Sequence, residues 1–258
     1  MTNTSTRLLA LIGIGLVAGI FFLAAILLRG QARDEERALQ GLPTTRPAQK
    51  LPPEPAPAPV PDRPTSPLKP APPGPLDLIS YLDPQKDAVA GVWALSGATL
   101  VTSEVAFGRL QLPCVPPEEY DVSLTATRQT GTDSLNMGLA VGGRQFVVIL
   151  DGMKDGDTAG VDIINSKGFM ENETTFKGKL LPKGSACEIR YAVRKDQLSV
   201  RVNGRDVIVW SADYSKVSKF KGWNVPDPRA LFIGSFESTF RIDRLVLTPV
   251  TGGASLLR

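Results

Sequence analysis

Leu198-Ser199-Val200-Arg201-Val202-Asn203-Gly204-Arg205-Asp206-Val207-Ile208-Val209-Trp210 decides the fold. Its first five residues alternate apolar and polar side chains, the period of a strand with one face buried and the other wet. Asn203-Gly204 then supplies the two positive φ angles of a two-residue type I′ turn, and the chain returns as a second strand. Outward from this hairpin the same period recurs. Tyr120, Val122, Leu124 and Ala126 alternate with Asp121, Ser123, Thr125 and Thr127, and Ile189, Tyr191 and Val193 alternate with Glu188, Arg190 and Arg194. Gly142-Gly143, between residues 135–141 and 144–150, reads as a second hairpin. Further strands are expected at 89–95, 98–102, 108–112, 158–164, 230–236 and 239–248. In the last of these the apolar parity shifts from Phe240 and Ile242 to Leu245 and Leu247, which predicts a β-bulge near Asp243.

No stretch of this region keeps a 3.6-residue period for ten residues, so the crossover helices of a parallel sheet are missing. About eleven or twelve short strands with turn signals between them predict an all-β fold, a two-sheet antiparallel jelly-roll-like sandwich over residues 76–250, followed by a tail at 251–258. At this length the domain buries roughly 70% of its unfolded surface and needs no staples.

The residues ahead of it divide by composition. After a short head at 1–7, residues 8–28 carry no charge and lie between Arg7 and Arg29. A helix of that length spans about 30 Å, so it is expected to be a transmembrane anchor in the lipid bilayer and not a cleaved signal peptide, whose apolar core is shorter. Gly15 and Gly19 form a GxxxG pair that could bring two such helices together as a homodimer. Residues 29–75 begin charged and turn proline-rich: 14 of the 22 prolines fall between Pro43 and Pro75, which precludes helix or sheet and gives an extended polyproline II spacer. Such a stalk reaches up to roughly 100 Å. It makes most sense outside the cytoplasm, which is the expected side of the β domain. Arg29, Arg33 and Arg37 against Arg7 count the other way, but they are interleaved with Asp34, Glu35 and Glu36.

Charge and composition exclude several functions. The net charge of +3 arises in the first 75 residues, with 8 basic and 5 acidic side chains, while residues 76–258 carry 21 of each. A neutral domain without a basic block offers no footprint for nucleic acid. Histidine is absent, which removes the commonest general base and metal ligand. Cys114 and Cys187, the only cysteines, are too few for a zinc site of four cysteines and stand either as one bridge or as two core thiols. No cofactor motif is present.

One set of residues resembles a known superfamily. Gly91-Val92-Trp93 with Leu95 and Gly97, Leu110 to Pro113, Pro117-Glu118-Glu119-Tyr120-Asp121, Val202-Asn203-Gly204, Leu231-Phe232-Ile233-Gly234-Ser235 and Phe240-Arg241-Ile242 look like the concanavalin A-like lectin/glucanase sandwiches. More narrowly they resemble the laminin-G-like and 3-keto-disaccharide-hydrolase-like domains of bacterial surface proteins. The likeness spans nearly all of 77–250 and implies a fold; sites are a separate matter.

Candidate site residues follow from chemistry. The ExDxxE strand of the superfamily's glucanases is absent; Glu119 and Asp121 share a strand face, but as solvated charges they are the simpler reading. Asp151, Asp155 and Asp157 lie on a glycine-containing loop with the oxygen donors for a Ca²⁺ ion, although Lys154 intervenes and Asp-Gly turns form for backbone reasons alone. For a sugar, exposed aromatics and planar polar groups matter. Trp223 and Asn224 in the 219–228 loop are the leading pair, with Trp223 either a ligand platform or a lid on the core, and Arg144, Gln145 and Asp151 could contribute. Trp93 and Trp210 are expected in the core. These residues point to a non-catalytic lectin-like module for glycan or another envelope polymer. The alternatives are a protein-protein module, and a glycoside hydrolase or lyase with unrecognised carboxylates.

Overall fold

The protein is described by a computed structural model over residues 68–258. The anchor at 8–28, the Gly15/Gly19 pair, the head and the stalk up to residue 67 lie outside the described residues. Among the described residues no helix is long and apolar enough to cross a membrane.

Two antiparallel sheets form the body. The seven-stranded sheet runs Phe176–Lys177, Thr158–Val161, Arg144–Gly152, Leu135–Val141, Phe232–Ser235, Gly108–Gln111 and Ala88–Ala90 from edge to edge. The eight-stranded sheet runs Arg205–Ser211, Gln197–Val202, Ala186–Arg194, Tyr120–Arg128, Phe240–Pro249, Thr99–Val101 and Ala94–Ser96, with Leu76–Asp77 also paired to Phe240–Pro249. This is an all-β, two-sheet antiparallel sandwich, as the alternation of side chains predicted. Tyr120, Val122, Leu124, Ile189, Tyr191, Val193, Leu198 and Val200 fill the core from one sheet and Phe146, Val148, Leu150, Met137, Leu139 and Ile233 from the other.

Local chemistry fixes the register. Asn203 and Gly204 adopt φ of 49° and 79°, as a type I′ turn demands, and the strands pair Leu198 with Trp210 and Val202 with Arg205. The register of Phe240–Pro249 against Tyr120–Arg128 slips between Ile242 and Arg244, so the bulge sits at Asp243.

Two expected strands are each divided. Residues 89–95 break at Gly91, where φ is +85°, and the halves Ala88–Ala90 and Ala94–Ser96 enter different sheets. Residues 158–164 break at Asp162, whose amide still donates to the Val147 carbonyl at 2.8 Å and whose carboxylate accepts from the Phe220 amide at 2.6 Å. Both ends of the described chain join the domain: Ser255–Leu256 pairs with Lys69–Pro70 and with Cys114–Val115. Arg258 then donates to both carboxylate oxygens of the buried Asp87, at 2.5 and 2.6 Å.

Trp93 and Trp210 are core residues, 6% exposed each, and their indole N–H groups donate to the Ala90 carbonyl and the Glu173 carboxylate. Cys114 and Cys187 are both buried and free. Burial pushes the Cys114 thiol up to about 12, the setting of an inert core thiol.

Candidate functional site

The seven-stranded sheet is covered on both faces. The run Phe146-Val147-Val148-Ile149-Leu150 turns Phe146, Val148 and Leu150 toward the eight-stranded sheet and Val147 and Ile149 outward, and all five are buried. Outside, Val147 and Ile149 form a second apolar cluster with Trp223 and Phe232, against which Phe107, Phe169, Val225 and Phe236 pack. The Phe232 ring can lie flat on the sheet because its neighbour across the ladder is Gly138, where a Cβ would fall 2.0 Å from a ring carbon. Trp223 stacks over Phe232 at 6.4 Å and meets Phe107 edge-on at 4.9 Å. Phe107 in turn meets Phe236 at 4.9 Å and Phe220 at 5.3 Å.

Trp223 is therefore the lid and not a platform: it is 3% exposed, with its ring enclosed by these neighbours. The exposed ring is its near neighbour Phe220, 45% exposed. The Phe220 amide is tied to Asp162, its carbonyl accepts from the Trp223 amide at 2.9 Å, and its ring leans on Phe107, so the ring is presented by a fixed loop. Asn224, exposed beside it, accepts from Lys219 Nζ at 2.5 Å through its side chain and from Arg109 Nε at 2.6 Å through its carbonyl.

The other candidates are dispersed. Gln145 is buried under the 227–230 turn; its amide donates to the Ala230 carbonyl at 2.5 Å, and its Oε1 has no partner among the described residues. Arg144 is exposed at the adjoining hairpin, next to a shallow groove of about 330 Å³ lined by Pro116, Pro117, Glu118, Ala140, Val141 and Arg229 among others. Asp151 is at the other end of the same strand, about 20 Å away at the strand's rise per residue. It is 2% exposed, and its oxygens accept from the Leu180 and Leu181 amides at 2.7 and 2.8 Å and from Arg128 at 3.1 Å. Both Asp151 oxygens thus already have partners within the fold. Asp157 accepts from the Thr158 hydroxyl, and no group of three ligating side chains occurs among the described residues.

Glu119 and Asp121 serve the fold as well. Glu119 accepts from the Lys195 amide, and Asp121 is held by Arg190 at 2.6 Å and Arg194 at 3.0 Å. Asp133 is pushed up by burial and also by Glu237, but Glu237 is exposed, so those two carboxyls stand at an open rim.

Fold and site together define an antiparallel sandwich whose outer sheet face is plugged by aromatic rings and whose accessible ring stands on the plug. No protein-family model matches the sequence, and no curated protein matches it. Among solved structures it is similar to the carbohydrate binding module CBM66 from Bacillus subtilis, at 10% identity over 62% of this chain and 93% of that one, with a TM-score of 0.42. It is also similar to the potassium-bound carbohydrate recognition domain of Emp46p (12%, 69% and 97%, 0.44) and to the apo Crh5 transglycosylase (11%, 72% and 89%, 0.48). These names cover both binding domains and an enzyme, and similarity at this level transfers no function.

Phe220, Arg109 and Lys219 were not legible as site residues. The one available signal was the unbroken apolar run 146–150, since a strand without alternation is covered on both faces and needs a lid.

Proposed function

We propose that the domain is a non-catalytic glycan-binding module, held outside the cytoplasm on the anchor at 8–28 and its proline-rich stalk. The observation that carries the reading is Phe220: a half-exposed ring, fixed by its loop, beside polar groups. A ring face of this kind packs against the C–H face of a sugar, while amides and charged groups meet its hydroxyls. The aromatic plug fills the outer face of the seven-stranded sheet and leaves Phe220 as the ring that a ligand can reach there.

A glycan-array screen of residues 62–258, whose core is complete within that span, tests the reading. Phe220→Ala is expected to weaken binding about tenfold or more while changing stability by less than about 1 kcal/mol, since half of the ring is already in water. Silence across neutral and acidic glycans would remove the glycan reading. Protease added to spheroplasts carrying the full chain is expected to release the domain; protection until lysis would place it in the cytoplasm.

A protein partner is the second reading, favoured by exposed apolar residues near the same plug. Val92 is 87% and Val105 46% exposed, and they adjoin at Gly91, where a Cβ would lie 3.0 Å from Val105 Cγ2. Binding of a protein that survives Phe220→Ala and is lost in Val92→Asp would favour it.

A further inference from the structure

The loop that presents Phe220 also gathers positive charge, with the buried Asp162 as the carboxylate that acts on Lys219. Lys219 and Arg109 converge on one residue, the ammonium on Asn224 Oδ1 and the guanidinium Nε on the Asn224 carbonyl. Arg109 Nη1 donates to the Phe107 carbonyl at 3.0 Å, while its Nη2 has no hydrogen bond among the described residues. Lys221 follows Phe220 directly and is exposed, and its side chain has no hydrogen bond among the described residues. None of the three cations forms an ion pair within 4 Å among the described residues, a state they share with other surface cations of the domain; what sets Arg109 and Lys219 apart is that both meet the same residue. Asp162, the carboxylate that most favours the Lys219 charge, is buried and already accepts from the Phe220 amide.

Neutral oxygens thus hold two cations side by side. Burial and, more weakly, the neighbouring Arg109 push the Lys219 ammonium down while the buried Asp162 pulls it up, so the repulsion between the two cations is countered by that one carboxylate alone. An arriving anion would relieve it, and charge-assisted contacts to Lys and Arg are the stronger hydrogen bonds. Repulsion between like charges is what a site for an anionic ligand holds in reserve, and the adjacent exposed ring specifies that the anion is attached to something with an apolar face.

We propose that the ligand is an acidic polysaccharide, with a sugar ring on Phe220 and its anionic group on Arg109 and Lys219, Lys221 adding attraction from the rim. This rests on the glycan reading and narrows it to a charge class. Carboxylate and sulfate esters share the required chemistry, and the polymers used below separate them.

Titration calorimetry of residues 62–258 at low and physiological salt, with polygalacturonate, dextran sulfate, neutral dextran and polyglutamate, tests it. At least one acidic polysaccharide is expected to bind about tenfold or more tightly than dextran, and to weaken as salt rises. Lys219→Gln and Phe220→Ala are each expected to reduce that binding about tenfold. Lys221→Gln, which removes an exposed side chain without partners and leaves the fold intact, is expected to reduce it severalfold and to flatten the salt dependence. Equal binding of dextran and the acidic polymers would overturn the charge class and leave the glycan reading standing. Polyglutamate binding as tightly as the acidic sugars would also overturn the proposal, since charge alone would then suffice. If neither acidic nor neutral polysaccharide binds, both readings fall.

Discussion

Arg128→Ala is expected to cost about 3–5 kcal/mol of stability in urea denaturation, the range for breaking a buried ion pair by removing one partner. Arg128 is 4% exposed and ties together four stretches of chain at one end of the sandwich. Its Nε donates to the Leu181 carbonyl at 3.0 Å, and its Nη1 donates to the Asp133 carbonyl and to Ser238 Oγ. Its Nη2 meets Asp151, and the guanidinium carbon lies 4.6 Å from the centre of the Phe240 ring. Alanine would take these donors away and leave the Asp151 carboxylate, still held by the Leu180 and Leu181 amides, buried without its counter-ion.

The same variant has a pH signature. Burial already pushes the Asp151 carboxyl above its ordinary value of 3.8, with Arg128 and two backbone amides pulling it back. Without Arg128 it rises further, so the folded form holds the proton to a higher pH than the unfolded chain does. The penalty is then full above the folded value and shrinks as pH falls toward 3.8, so the variant is expected to regain part of its deficit in mildly acid buffer. A cost below about 1 kcal/mol, or a deficit independent of pH, would mean that other contacts hold this end together.

Trp223→Ala is expected to be comparably severe, about 3–5 kcal/mol, because a large buried ring leaves a cavity that a sheet surface cannot close. The loss has a distinct location. Val147 and Phe232, both fully buried, would be uncovered on the outer face of the seven-stranded sheet, so the variant is expected to bind a hydrophobic dye in its folded state. Phe220→Ala, three positions earlier, is expected to do the reverse, sparing stability and losing ligand. A Trp223→Ala protein of wild-type stability that has lost glycan binding would return Trp223 to the role of platform.

That contrast shows where reading the residues in order succeeds and where it stops. The 219–228 loop could be singled out because Trp223 and Asn224 pair a ring with a planar polar group between two strands, with Trp223 either a platform or a lid. Which ring faces water depends on where the loop lands. Phe220 and Trp223 are separated by one turn, and it is Gly234 and Gly138 on distant strands that make room for Trp223 and Phe232. Arg109 is in a strand more than a hundred residues earlier, and only the pairing of Gly108–Gln111 with Phe232–Ser235 brings it under Asn224. Asp151 illustrates the converse: a carboxylate on an Asp-Gly loop has the appearance of a cation ligand until Arg128 and two amides are seen to occupy its oxygens.

Residue order alone was enough for the division of the chain by composition, the all-β class, the two hairpins at Asn203-Gly204 and Gly142-Gly143, and the bulge at Asp243. Each is a local consequence of side-chain period or of a backbone angle that few residues adopt. The division of residues 88–96 between two sheets, the aromatic plug on the outer face, and the meeting of Arg109, Lys219 and Phe220 emerge only when the chain is folded. These depend on contacts between segments far apart in the chain, whose partners no local pattern names.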